Sequence, residues 1–287
     1  MTDIFPTTRE DGDGSNITKG TVVVDGLSNA DYHADPAASA SHLHQVARSG
    51  QHYWARYVTK IPELDKPTAA MTMGSLVHCA TLEPNELLKR YGGCPPRNTK
   101  AGKQAAAEMQ ANGIEPVSEA DMVLAKRMAS AVHRHPYAAE LLSAGKPETS
   151  IWWDDPQTGL RCKCRPDWIN GRICIDLKTT TDASPHGFAK SVASFRYHVQ
   201  DAHYLAAGLF DQFVFIAVEK EAPFAVGVYE LDADALVEGK RLRDRDLQRI
   251  ANCRAMAAWP GYGDELQTLS LPGWAFYGND TITPIDF

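Results

Sequence analysis

The order of signals along the chain predicts an α/β fold: a mixed central sheet flanked by helices, with a helical region at the N-terminal side. Three observations carry this. Between Ser39 and Leu142 apolar residues recur mainly at helical spacing, from Glu148 to Thr180 the period drops to two, and after Ser184 helices and strand-like apolar runs alternate.

Residues 1–20 are rich in Asp, Gly, Thr and Ser without periodicity and are expected to be disordered or loosely attached. A single domain is expected over 21–260. Thr21-Val22-Val23-Val24 reads as a short strand, and Ser39-Ala40-Ser41 offers caps for a helix to about Arg48. Gln51 to Val58 continues as an aromatic-rich helix whose Tyr53, Trp54 and Tyr57 are expected to pack. Thr68 to Glu83 is a stronger helix, with Gly74 and His78 on one face, ended by Pro84. Thr99 caps a helix to about Asn112-Gly113, and Ser118 caps one to about His133. His135-Pro136 breaks the pattern before a short helix from Tyr137 to Leu142.

A three-strand meander follows, with Asp155-Pro156-Gln157-Thr158-Gly159 as its first turn. Ser184-Pro185 opens a helix to about Ser194, and Tyr197 to Asp211 is another. Phe213 to Val218 and Ala225 to Leu231 are strand-like, and Asp232 caps a long charged helix to about Trp259. The tail, 261–287, is expected to pack on the domain through Trp274, Phe276 and Tyr277.

The bulk numbers exclude several classes. The 287-residue chain has 44% hydrophobic and 23% charged residues, ordinary for a globular protein. No apolar run is long enough for a membrane span, and the first residues show no signal-like apolar core. Its six cysteines form no C-x-x-C pair and read as reduced thiols of a cytoplasmic protein. A net charge of −7 argues against non-specific coating of nucleic acid, but not against a nuclease, whose metal pocket needs carboxylates.

The chemistry concentrates between Arg165 and Lys178. Asn170-Gly171 is expected to form a type I′ hairpin turn. Pairing Ile169 with Arg172 then sets Asp167 opposite Cys174 and Arg165 opposite Asp176. Side chains alternate along a strand, so Asp167, Asp176 and Lys178 share a face, while Cys164, Trp168, Ile173, Ile175 and Leu177 form the core side. Carboxylates diagonal across a hairpin lie roughly 7–8 Å apart at Cα, close enough to share a divalent ion. Oxygen donors suit Mg²⁺, with Mn²⁺ a ready substitute. Such an ion can polarise a phosphate and activate water, and a lysine beside it can stabilise the developing charge. His78 is a candidate third ligand, on a helix that Gly74 is expected to let close to the sheet. Gln200 and Tyr204, one helical turn apart, can bond a phosphate or hold the lysine. Glu148 is a candidate supporting carboxylate.

The set Gly74-x-x-x-His78, Glu148, Pro166-Asp167, Asp176-Leu177-Lys178 and Gln200-x-x-x-Tyr204 resembles the RecB-like branch of the PD-(D/E)xK nucleases, and more closely the RecE (exodeoxyribonuclease VIII) family. Tyr32-His33-Ala34-Asp35-Pro36, Arg97-Asn98-Thr99-Lys100-Ala101-Gly102-Lys103 and Phe188-Ala189-Lys190-Ser191-Val192 extend the likeness over roughly 27–259. The resemblance implies a restriction-endonuclease-like core and an Mg²⁺-dependent exonuclease. Such an enzyme degrades one strand of linear duplex DNA from its 5′ end and leaves a 3′ overhang for a single-strand annealing protein. It also implies His78, Asp167 and Asp176 as metal ligands with the Leu177 carbonyl as a fourth, Lys178 as catalytic, and Gln200 and Tyr204 as support. A ring-shaped homo-oligomer around DNA is a further implication. The iron–sulfur subgroup carries cysteines near the C-terminus; here none follows Cys253, which excludes it.

Arg97, Lys100 and Lys103 are the best candidates for gripping DNA, because cations at a helix N-terminus oppose its dipole and suggest an anion nearby. Lys190 and Arg196 are further candidates. An endonuclease of the same superfamily and a non-catalytic DNA-binding member of the fold remain as alternatives.

Overall fold

In the computed structural model, which describes residues 18 and 20–273, strand β1 (Val22–Val24) precedes helices α1 (Asn29–Ala34), α2 (Ala40–Arg48) and α3 (Gly50–Tyr53). A π-helical turn, Trp54–Val58, continues α3. Next come α4 (Ala69–Leu82), α5 (Leu87–Arg90), β2 (Tyr91–Cys94), α6 (Lys100–Ala111), β3 (Glu115–Ser118), α7 (Glu119–Arg134) and α8 (Pro136–Leu142). Strands β4 (Lys146–Pro147), β5 (Ser150–Asp154), β6 (Arg161–Cys164), β7 (Trp168–Asn170) and β8 (Ile173–Thr180) follow. The rest is α9 (Pro185–Phe195), α10 (Tyr197–Leu205), β9 (Gln212–Glu219), β10 (Val226–Tyr229) and α11 (Ala233–Met256).

Thr99, Ser118, Ser184 and Asp232, at the expected helix starts, each accept a backbone N–H from the first turn of their helix, and Thr68 does the same for α4, satisfying a donor that has no partner within it. Helix α7 also carries Glu119 and Asp121 at its start and His133 and Arg134 at its end, the signs its dipole favours.

The central sheet has the order β10-β9-β8-β7-β4, with β8 and β9 parallel and the remaining pairs antiparallel. Each face of β8 and β9 is covered, as a parallel pair requires. Cys174, Phe213, Phe215 and Ala217 face one core with Phe188, Val199 and Leu247 of the last three helices. Ile175, Leu177, Val214, Ile216 and Val218 face the other, with Leu76 and Val77 of α4 and Met128 and Val132 of α7. The fold is therefore the mixed α/β arrangement expected.

The meander is not continuous. Strand β5 pairs with β1 on one side and β6 on the other in a separate small sheet, and the chain changes sheets at Arg165-Pro166-Asp167. Pro166 has no N–H for a ladder, which is why β6 stops before it. Cys164 accordingly packs with Cys174 in the first core, on the opposite side from Ile175 and Leu177.

The hairpin register also differs from expectation. Asn170 pairs with Ile173, Ile169 with Cys174 and Trp168 with Ile175, so the turn is Gly171-Arg172. Gly171 has φ +57° while Arg172 is not in the left-handed region, the requirement of a type II′ turn rather than I′. Asn170 is held in the ladder by its side chain, which donates to the Leu141 carbonyl at 3.0 Å. Carried past Trp168, this register sets Asp167 level with Asp176 instead of diagonal to it.

Two elements are additional. Strands β2 and β3 form a parallel pair, whose Gly92, Gly93 and Pro116 hide the strand signal. Helix α10 stops at Leu205, short of Asp211, because the chain turns at Gly208 with φ +75°, a conformation glycine adopts freely. Gly74 does not act as a close-approach residue, since a Cβ there would meet nothing within 4 Å. All six cysteines are free and buried. Of the tail, residues 261–273 are exposed, Leu266 and Leu269 almost completely. Trp274, Phe276 and Tyr277 lie outside the described residues, as do most of 1–20.

Candidate active site

Asp167 sits at the sheet change, just before β7. Its Oδ2 accepts the Leu177 N–H at 2.7 Å, which fixes the carboxylate against the middle of β8. His78, reaching over from α4, places Nδ1 3.4 Å from the same oxygen. Burial opposes the charge on Asp167, but His78 beside it, with Lys178 and the Leu177 N–H, outweighs that and holds its pKa below the usual range. Burial likewise opposes a proton on His78, and Asp167 more than offsets it, raising the imidazole.

Asp176 and Lys178 lie two residues apart on β8 and therefore on one face. Asp176 is 2% exposed. Its Oδ1 accepts from Gln200 Nε2 at 2.5 Å, and its Oδ2 lies 2.5 Å from Lys178 Nζ in an orientation that makes no aligned hydrogen bond. Burial raises the Asp176 carboxyl, with Lys178 opposing and Asp167 adding to the shift. Burial works against the Lys178 ammonium too, but the two aspartates overcome it and raise its pKa. Lys178 is thus a fixed positive charge and donor.

Tyr197 forms the floor under that lysine: Nζ lies 4.6 Å from the ring centroid, a cation–π contact. The expectation for Gln200 changes in detail, because it holds the carboxylate and not the lysine. Tyr204 touches neither. Its hydroxyl donates to the Arg165 carbonyl at 3.3 Å, supporting the bend that presents Asp167.

Glu148 has φ +51°, and its N–H donates to the Asp167 carbonyl at 3.3 Å. Non-glycine residues rarely adopt that left-handed conformation. Its carboxylate lies 3.9 Å from Arg165 Nη1. Burial first and Asp167 second raise its pKa to about 7. Arg165 is held by Ser150 and the Leu27 and Ser28 carbonyls and lies over the Tyr32 ring, 4.1 Å from its centroid, so the Tyr32–Pro36 segment braces the site from behind. The expected pairing of Arg165 with Asp176 is not formed.

Sequence reasoning missed Tyr197 and Asp201. Tyr197, three residues before Gln200, was legible as the same helix face. Asp201 is 1% exposed with Oδ1 unpartnered, and burial and Asp176 raise it to about 7; nothing in its spacing signals this.

Two carboxylates, an imidazole and a strand backbone make a donor set suited in kind to a hard divalent cation. Asp176 Oδ2, whose partner is the Lys178 ammonium, is the oxygen for which such a cation would compete. As the side chains stand they are folded onto one another, and among the described residues no group of three His, Cys, Asp or Glu is drawn together as a closed ligand set.

The DNA-contact candidates divide. Arg97, Lys100 and Lys103 are exposed at the start of α6, whose Gly102 sits so close to the Pro96 carbonyl that a Cβ would come within 2.2 Å of it. Lys190 is exposed on α9. Arg196 is a correction: its guanidinium pairs with buried Asp246 and donates to the Leu43 carbonyl, so its charge is committed to holding α10, α11 and α2 together.

An acidic residue at a Pro-marked sheet change, followed on the next strand by Asp-x-Lys, defines a PD-(D/E)xK-type core. Residues 39–272 match the model of the PDDEXK-like domain of unknown function (DUF3799), and the chain belongs to that family. The fold is similar to a crystal structure from Eubacterium rectale of a protein that carries the name exonuclease, at TM-score 0.56 and 16% identity over 85% of this chain and 96% of that one. A phage-related exonuclease from Haemophilus somnus matches at TM-score 0.34 and 12% identity, over 77% of this chain and 96% of that one. No curated protein matches significantly. Among the described residues no helix is long and apolar enough to cross a membrane.

Proposed function

We propose that this protein is an Mg²⁺-dependent deoxyribonuclease that works as an exonuclease on linear duplex DNA, in the manner of the RecE-like enzymes its motifs resemble. The observation that carries the reading is the convergence, from three separate segments, of His78 on Asp167 and of Gln200 and Lys178 on Asp176. The name carried by the Eubacterium rectale protein of the same fold agrees with it.

In this reading His78, Asp167, Asp176 and the Leu177 carbonyl would hold the cation, Mg²⁺ or in its place Mn²⁺. When bound it would polarise the scissile phosphate and lower the pKa of a water. The chain's own part is positional and electrostatic. Lys178 supplies positive charge to the phosphate oxygens as negative charge develops. Gln200 keeps Asp176 from turning away, and Tyr204 holds the bend that aims Asp167. Arg97, Lys100, Lys103 and Lys190 are the proposed phosphate contacts, at positions that orient DNA without reading its sequence.

Degradation of the 5′-ended strand, transfer of the 3′ overhang to an annealing protein and a ring-shaped oligomer belong to the same proposal. Linear duplexes labelled at the 5′ or the 3′ end, beside covalently closed circles, test it with Mg²⁺ present. Early release of 5′ label from linear DNA with circles intact is the expected result. Equal cutting of closed circles would make the protein an endonuclease of the same superfamily.

A further inference from the structure

Beside the catalytic face a cleft of about 510 Å³ opens between α2, the π-helical turn and the junction of α9 with α10. Its walls include His44, Arg56, Tyr57, Phe195, Tyr197 and Gln200. Two of these already belong to the site: Gln200 bonds Asp176, and Tyr197 lies under Lys178. The cleft thus shares two side chains with the site.

Its chemistry is unusual for this molecule. On a chain of net charge −7, none of the residues described as lining the cleft is Asp or Glu. A second cavity, of about 450 Å³ between α9, β10 and α11, is rimmed by Glu230, Asp232 and Glu238. Those carboxylates would repel a polyanion. Phe195 is 60% exposed, an orientation that buries little of its apolar area. It stacks on Tyr197 with centroids 5.6 Å apart at 27°, so an aromatic path runs from solvent to the lysine. Arg56 stands on the opposite wall, and its ion pair among the described residues is a loose one with Asp65 at 3.5 Å.

We infer that this cleft seats one unpaired nucleic-acid strand next to the scissile phosphate, with a base stacked on Phe195 and the backbone passing Arg56. Exposed aromatics interleaved with cations are the means by which proteins hold single strands irrespective of sequence. The inference rests on the nuclease reading for what happens to the strand, but the binding site stands on the cleft alone.

Fluorescence anisotropy of a labelled single-stranded oligonucleotide, with the full chain in EDTA, tests it without cleavage. Phe195→Ala is expected to weaken binding about tenfold, the effect of losing one stacked base, and Phe195→Trp to retain it. Val237→Ala, at an exposed apolar position on α11, is expected to change nothing. Equal affinity of the wild type and Phe195→Ala, or no binding by the wild type, overturns the inference. So does a change of oligomeric state in Phe195→Ala with DNA affinity intact, which would mark the patch as a protein interface. A wild type that binds in this way but hydrolyses no DNA would sink the nuclease reading and leave the cleft standing.

Discussion

Gln200 Nε2 donates to Asp176 Oδ1 across 2.5 Å, so a helix that follows β8 fixes the orientation of a carboxylate within it. The other oxygen, Oδ2, lies 2.5 Å from Lys178 Nζ on the same strand face, so the amide sets which carboxylate oxygen faces the lysine. Gln200→Ala is expected to lower cleavage about 10–100-fold, the usual cost of losing a partner behind a ligand, with part of the loss recovered at higher Mg²⁺. Rates titrated against Mg²⁺ check it; a rate unchanged at every concentration would remove Gln200 from the site.

Cation binding has a readout independent of catalysis. A buried carboxylate, Asp176, with the half-buried Asp167 adding to its electrostatic strain, favours a native state that binds a divalent ion, and an ion bound only by the native chain stabilises it by about 2.7 kcal/mol at a hundredfold excess over Kd. Mn²⁺ is expected to raise the melting temperature of the wild type, by less in His78→Ala and not at all in Asp176→Ala. Equal shifts in all three would contradict the assigned ligand set.

Much of this arrangement was legible in the sequence, and the limits have physical causes. Asp176 and Lys178 share a face by strand period alone, and the Thr99, Ser118 and Asp232 caps lie where their side chains required. The hairpin register was not legible, because Asn170-Gly171 satisfies the local rule for one turn while the bond from Asn170 to Leu141 selects another. Asp167 was expected within a meander; the sheet change at Pro166 depends on pairing with β1, far away in sequence. Arg196 looked like a surface cation because its partner, Asp246, lies on α11.

Acid stability follows from two buried histidines. Burial lowers His42 and His203 to about 3 each. Unfolded, they titrate near 6.5, so between these values the unfolded chain binds more protons and stability falls as pH falls. Asp201 and Glu148, each raised to about 7, work the other way: their contribution is complete below the unfolded carboxyl pKa and is lost as pH rises through 7. Between pH 6.5 and pH 3 the two effects oppose each other, and the denaturant midpoint of His203→Gln is expected to fall less, or rise more, than that of the wild type. Parallel pH profiles for the two proteins would show that His203 is not held neutral.

The pair Arg243–Asp155, at 2.7 Å and almost fully buried, ties α11 to the turn after β5. Removing one partner strands a buried charge, so Arg243→Ala is expected to cost about 3–5 kcal/mol in chemical denaturation. Well below its melting temperature the variant should still cleave DNA, because the pair is separate from the Asp167 and Asp176 carboxylates. A loss under about 1 kcal/mol, on the scale of a surface pair, would contradict the role.

The central claim is that Asp176 and Lys178 carry out phosphodiester hydrolysis, and one assay addresses it directly. Linear duplex DNA is incubated with Mg²⁺ and wild type, Asp176→Ala or Lys178→Ala, with folding of each followed by circular dichroism. The account predicts nucleotide release by the wild type, none in EDTA, and a loss of at least about 10²-fold in both folded variants. Wild-type rates in either folded variant, or no hydrolysis by the wild type, would contradict it.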